Sequence, residues 1–265
     1  MTKLYFILIF IVAFCSCRKQ PAQTELAVEH LPKVELNLKG KKVLLYGDSM
    51  SSDDYVWYKE TIEGRTGATA ILAGFSGYTT FMLAEDSQLQ RIYDNNPDVI
   101  ICLVGGNDSG KSGTVGTFGA VATEPIVDDT DAANNFHGGY HYLIQAVSHI
   151  IRRVDYYYAA RDEQRPYLIF CTPLPQKREN SYSEFSKPQN WLRKRNAIVE
   201  CCNRYNIHCV DLYKLTNWDM DKEPYWTAPT DVVNNKGVYT MDGLHPNEKG
   251  YQQIAEIISS QITHR

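Results

Sequence analysis

Two short stretches near opposite ends of a 265-residue chain hold residue types suited to nucleophilic and acid–base chemistry. The first is YGDSMSSDD, Tyr46 to Asp54, in which an apolar run (Val43-Leu44-Leu45-Tyr46) stops on a glycine, a carboxylate and a hydroxyl. The second is MDGLHPNEKGY, Met241 to Tyr251, where Asp242 and His245 stand three apart. A serine hydroxyl is a weak nucleophile until a base takes its proton. A carboxylate that reaches Nδ1 of an imidazole fixes the tautomer and leaves Nε2 to face such a hydroxyl. Ser49, His245 and Asp242 are therefore a candidate nucleophile, base and orienting acid for acyl transfer. A structural reading stands beside this one. Ser49, Ser51, Ser52 or Asp53 can cap the next helix, the later three being the better placed, and Asp242 and His245 can be a cap and a loop residue. One cap needs only one of those three, which leaves Ser49 unexplained.

Acyl transfer also needs donors aimed at the developing oxyanion. GFSGYTT, Gly74 to Thr80, can present the Gly77 N–H at close approach. VGGNDSG, Val104 to Gly110, can present the Asn107 side-chain amide. Taken singly, each is an ordinary turn.

These residues need a frame. Short apolar runs at Val43–Tyr46, Thr69–Ala73, Val99–Val104, Tyr167–Cys171 and His208–Leu212 read as strands buried on both faces. Helical patterns fall near 53–66, 80–94, 136–160, 188–205 and 247–263. In the third of these Leu143, Val147, Ile150, Ile151 and Val154 recur at helical spacing, and in the last Ile254, Ile257, Ile258 and Ile262 do so. Strict alternation predicts an α/β fold of three layers, α/β/α, around a flavodoxin-like five-stranded parallel sheet of order 2-1-3-4-5. Ligands in such sheets bind beyond the carboxyl ends of the strands, beside strand 1. YGDS sits there, and Gly47 suits a sharp turn.

GDS, the glycine of SGYTT, GGND and DGLHPN occur in this order after strands 1, 2, 3 and 5. The set resembles the SGNH (GDSL-type) hydrolase superfamily over Lys42 to about Ile262. The resemblance implies that Ser49 is the nucleophile and first oxyanion donor, Gly77 the second and Asn107 the third. It implies His245 as general base, Asp242 as its orienting residue and Asp48 as a structural hydrogen-bonding neighbour of the serine. It implies no metal and no organic cofactor. The chain departs from many members after the nucleophile, where Ser51-Ser52-Asp53-Asp54 stands in place of a nearby glycine.

The first 17 residues, MTKLYFILIFIVAFCSC, have a basic start and an apolar stretch from Leu4 to Phe14, and so read as an export signal. The stretch is shorter than the roughly 20 residues of a membrane span. Its ending resembles a bacterial lipoprotein box, which implies lipidation at Cys17 and anchoring in the periplasm or at the cell surface; an ordinary cleaved signal is the alternative. Residues 18–38 read as a polar tether and 39–265 as the hydrolase domain. With 27 basic and 31 acidic residues and no basic patch, nucleic acid is excluded as an expected partner. Cys102 and Cys171 lie in strand-like runs and read as buried thiols, and Cys201 or Cys202 could pair with Cys209.

Two long connections bear on substrate. Residues 109–135 hold several glycines and an acidic group, Asp128, Asp129 and Asp131, which reads as a solvated loop. His137 and His141 have a metal-like spacing, weakened by the glycines between them. Residues 213–240 hold Trp218, Tyr225 and Trp226, a possible platform for a sugar ring or else a cover over the core edge. The leading expectation is an exported carbohydrate esterase that removes acetyl or other small acyl groups from polysaccharides. A lysophospholipase or thioesterase and a non-catalytic glycan-binding lipoprotein are the alternatives.

Overall fold

The computed structural model describes residues 35–108, 143–176, 188–223 and 237–262. The leader, Cys17, most of the tether, the acidic group, His137, His141, Tyr225 and Trp226 lie outside the described residues.

Five parallel strands form one sheet in the order β2-β1-β3-β4-β5. They are β1 (Lys42–Gly47), β2 (Thr69–Gly74), β3 (Val99–Leu103), β4 (Tyr167–Cys171) and β5 (His208–Val210). The helices are α1 (Val56–Thr66), α2 (Thr80–Leu83), α3 (Asp86–Asn95), α4 (Leu143–Ala159), α5 (Pro188–Tyr205), α6 (Leu212–Leu215) and α7 (Glu248–Ile262). Because strand side chains alternate between faces, the three central strands feed two cores. Leu44, Tyr46, Ile100, Cys102, Leu168 and Phe170 point into one, with Leu89, Ile92, Ile150, Ile151 and Ile198 of α3, α4 and α5. Val43, Leu45, Val99, Ile101, Leu103, Ile169 and Cys171 point into the other, with Ile62 of α1 and Ile254 and Ile258 of α7. Each such Val, Leu, Ile or Phe side chain, fully buried, contributes about 1.5–3 kcal/mol.

Several expected boundaries move for physical reasons. The fifth strand stops at Val210, because Asp211 turns its carboxylate inward to Thr172 Oγ1 at 3.0 Å and to Arg195 Nη2 at 2.6 Å. The second helical stretch is two helices, broken where Glu85 takes an extended conformation. The first helix begins at Val56, and none of Ser51, Ser52 or Asp53 caps it; its N-cap, Tyr55, makes no side-chain cap bond. A short 3₁₀ turn, Ser49–Ser51, comes first, and Asp48 caps that turn by accepting from the Met50 N–H at 3.1 Å. All five described cysteines are free thiols, so the pairing with Cys209 is absent.

Candidate active site

Ser49 lies immediately beyond β1, in the 3₁₀ turn that Asp48 caps. Gly47 earns its place by close approach and not by an unusual dihedral angle: a Cβ there would stand 2.2 Å from the Leu103 carbonyl oxygen on β3. The turn is also braced across its far side. Ser52 Oγ donates to the Ser49 carbonyl at 2.8 Å and contacts Asp54 Oδ2 at 3.2 Å. The serine-rich sequence after the nucleophile position thus supplies a hydrogen bond that holds the Ser49 backbone.

The loop before α7 brings in the other half. His245 Nε2 is 3.0 Å from Ser49 Oγ, across 196 positions of sequence. His245 Nδ1 is 2.7 Å from Asp242 Oδ2. A carboxylate only accepts, so Nδ1 carries the proton and Nε2 is left to accept from the hydroxyl. Asp242 is almost fully buried, and its second oxygen accepts the backbone N–H of Leu244 at 2.9 Å and of His245 at 2.6 Å. Burial alone would raise its pKa, but the hydrogen bond and charge of His245 and these two N–H groups outweigh it and hold the carboxyl below the usual range. Gly243 has φ +80°, a left-handed conformation that suits glycine and lets the loop turn between the acid and the histidine.

Tyr55 stacks on the His245 ring, with centroids 5.6 Å apart and planes 25° apart, and on Tyr251 at 5.3 Å. Burial, with Asp242 and Asp54 adding, pushes its phenol up to about 12, so it stays neutral. Sequence reading missed Tyr55, since an aromatic residue at a helix start carries no chemical mark. It also missed Glu223, whose buried carboxylate grips the start of the histidine loop.

The loops after β2 and β3 close the remaining side. Gly77 has φ +78°, the conformation glycine adopts readily. Among the described residues, neither the Gly77 nor the Ser49 backbone N–H donates to a backbone carbonyl. Asn107 Nδ2 donates to the Tyr78 carbonyl at 3.1 Å. Beside it, buried Asp108 accepts from the Thr80 N–H at 3.2 and 3.0 Å and from Thr80 Oγ1 at 2.7 Å. Two adjacent residues after β3 therefore pin the loop that carries Gly77. Backbone also meets backbone at the end of β2, where a Cβ on Gly74 would lie 2.4 Å from the Asp48 carbonyl oxygen.

Of the two readings open for Trp218, its surroundings favour the cover over the core edge. It is buried against Tyr239, with ring centroids 5.5 Å apart and planes 4° apart, and its Nε1 donates to Gln253 Oε1 of α7 at 2.5 Å. An indole packed in this way braces α7 and leaves a sugar ring no open face. Among the described residues, no group of three or more His, Cys, Asp and Glu side chains is placed to hold a metal ion.

A buried carboxylate, an imidazole and a hydroxyl in series, beside backbone and amide donors, can add a serine oxygen to a carbonyl and hold the resulting oxyanion. Residues 45–253 match the model of the GDSL-like lipase/acylhydrolase family. An acetylxylan esterase of Xylanibacter ruminicola is 30% identical over 112 residues, a stretch that spans 39% of this chain but only 18% of that protein. A lipase/acylhydrolase from Enterococcus faecalis superposes with a TM-score of 0.52 at 17% identity, covering 83% of this chain and 94% of its own. A catalytic mutant of an acetylxylan esterase from Geobacillus stearothermophilus superposes with a TM-score of 0.55 at 12% identity, covering 88% of this chain and 97% of its own. At these identities the superpositions bear on the fold, and the family match bears on the chemistry. The chain belongs to the GDSL-like lipase/acylhydrolase family.

Proposed function

We propose that this protein is a carbohydrate esterase that removes acetyl or other small acyl groups from polysaccharides through Ser49, His245 and Asp242. The observation that carries the catalytic assignment is the continuous relay from Asp242 Oδ2 to His245 Nδ1 at 2.7 Å and from His245 Nε2 to Ser49 Oγ at 3.0 Å. Ser49 Oγ attacks the ester carbonyl as its proton passes to Nε2. The oxyanion accepts from the Ser49 and Gly77 N–H groups and the Asn107 amide. The C–O bond to the alcohol breaks, and the alcohol leaves with the proton from Nε2. Water, deprotonated by the same nitrogen, then attacks the acyl-serine, releasing the acid and restoring the hydroxyl. Asp242 stays ionised throughout and stabilises the imidazolium formed in each half. The sugar part of the reading is supported by the partial likeness to an acetylxylan esterase. Lipidation at Cys17 would hold the enzyme at a membrane facing such polymers, and the signal-like sequence of the first 17 residues supports this.

Acetate release from acetylated xylan and pectin, set beside hydrolysis of p-nitrophenyl esters from acetyl to palmitoyl, tests the reading. The expected outcome is acetate release and a steep fall in rate with acyl length. Ser49→Ala is expected to reduce every rate to background. A preference for long acyl chains transfers the reading to the lysophospholipase or thioesterase class. Equal inertness of wild type and Ser49→Ala on all esters removes the catalytic assignment.

A further inference from the structure

The loop from Thr240 to Asn247 carries both Asp242 and His245, and its internal bonds, among them those from the Leu244 and His245 N–H groups to Asp242 Oδ1, fix its shape but not its seat on the rest of the molecule. The Met241 N–H donates to the His245 carbonyl at 2.8 Å, and the Asn247 N–H to the Tyr239 carbonyl at 2.8 Å. The side chain of Glu223 holds the loop's entry from outside. Glu223 is 3% exposed and follows the short 3₁₀ turn Met220–Lys222. Its Oε1 accepts from the Tyr239 N–H at 3.0 Å, and its Oε2 from the Thr240 N–H at 2.9 Å and from Thr240 Oγ1 at 2.6 Å. Thr240 Oγ1 passes the restraint on by accepting from the Gly243 N–H at 3.0 Å, between the acid and the histidine. A buried carboxylate accepting several N–H and O–H donors forms strong, charge-assisted bonds of fixed geometry. The chain from Glu223 through Thr240 to Gly243 ends one residue from Asp242 and two from His245.

We infer that Glu223 is a positioning residue for the reaction, a clamp that sets the Asp242–His245 loop at the height where Nε2 meets Ser49 Oγ. The inference rests on the catalytic reading above and adds a residue to it that the family motifs do not contain. Glu223 touches no reacting atom, so its removal acts on geometry. A misplacement on the order of 1 Å can cost about 100-fold in rate. Glu223→Ala is expected to lower kcat for p-nitrophenyl acetate about 10- to 100-fold with KM changed less than about twofold. The Nδ1 proton resonance of His245, which reports its bond to Asp242, is expected to shift or broaden. Glu223→Gln, which offers one acceptor oxygen in place of two, is expected to fall between. Should Glu223→Ala not fold, Thr240→Val and Thr240→Ser decide the matter: the valine removes the hydroxyl and should reproduce the loss, whereas the serine keeps it and should retain most of kcat. A folded Glu223→Ala enzyme with wild-type kcat and an unmoved His245 resonance overturns the inference, as does a Thr240→Val enzyme indistinguishable from Thr240→Ser. If the wild type shows no Ser49-dependent turnover, the catalytic reading fails by itself. The resonance then still decides whether Glu223 sets the loop.

Discussion

At the level of single residues, the site depends on side chains that do two jobs. Asn107 is the clearest case, because an amide nitrogen carries two N–H bonds. One donates to the Tyr78 carbonyl at 3.1 Å, which fixes the plane of the amide and so the direction of the other. Asn107→Ala removes the proposed oxyanion donor and the tie together, and kcat is expected to fall about 10²–10³-fold, the usual loss for one such donor. Thr80→Val provides the contrast. It breaks the 2.7 Å bond from Oγ1 to Asp108 but leaves the amide in place. Kinetics on p-nitrophenyl acetate should show a much smaller loss for Thr80→Val; equal losses would mean that Asn107 acts only as a tether. The meeting of Ser49, His245 and Asp242 was legible in the sequence, because their types carry chemistry and their spacing suits it. Tyr55 and Glu223 were not legible. Their roles arise from distant contacts, Tyr55 with the His245 ring and Glu223 with Tyr239 and Thr240, and neither residue type has a spacing rule that points there.

At the level of elements, strand ends and turns meet so closely that glycine is required. Gly74 ends β2, and a Cβ there would lie 2.3 Å from the Ser51 carbonyl carbon and 2.4 Å from both the Asp48 oxygen and the Ser52 nitrogen. All three are backbone atoms, so no side chain can swing aside and the turn itself must move. Gly74→Ala is expected to destabilise by at least the ~1–3 kcal/mol typical of overpacking, and to reduce kcat beyond what the loss of folded protein explains. Gly64 is the internal control. It is exposed in the last turn of α1 with no atom within 4 Å of a Cβ, and Gly64→Ala is expected to stabilise by up to about 0.5–1 kcal/mol through helix propensity. Thermal unfolding of the two variants beside wild type checks both signs. The strands themselves were the most legible part of the chain, since runs buried on both faces announce themselves by composition. Right-handed crossovers narrowed their order to a few choices, and the expected one, 2-1-3-4-5, is the order found. The entry to α1 was not legible. Ser51, Ser52 and Asp53 all have cap chemistry, but an intervening 3₁₀ turn capped by Asp48 leaves the helix to begin at Val56 uncapped by any of them. Trp218 stayed open for a related reason. An aromatic residue in a long connection suits either a ligand or the core, and only the parallel Tyr239 ring and the Gln253 acceptor decide for the core.

At the level of the whole molecule, two carboxylates near the proposed oxyanion and histidine loops respond to acid in opposite ways. Asp242 has its folded-state pKa held below the ordinary value by the bond and charge of His245 and by two backbone N–H groups, which together outweigh its burial. Its contribution to stability is present above the unfolded pKa, near 4, and is lost as pH falls through the depressed folded value. Asp108 is the reverse. Burial raises its pKa, and neither the Lys194 charge nor the Thr80 hydrogen bonds bring it back. Its contribution is present below about pH 4 and is lost as pH rises through the raised folded value. Each can be isolated by an asparagine, which removes the titration and leaves a constant offset. The stability of wild type minus Asp242→Asn is expected to grow as pH rises toward and past 4. The stability of wild type minus Asp108→Asn is expected to shrink as pH rises above 4. Urea unfolding of the three proteins across the acid range measures both differences, and the slopes must have opposite signs whatever the offsets. A common sign would mean that the carboxylate holding the Gly77 loop is as well solvated or as well paired as the one holding His245. In that case, burial would no longer explain why one side of the site resists acid and the other side is strained by base.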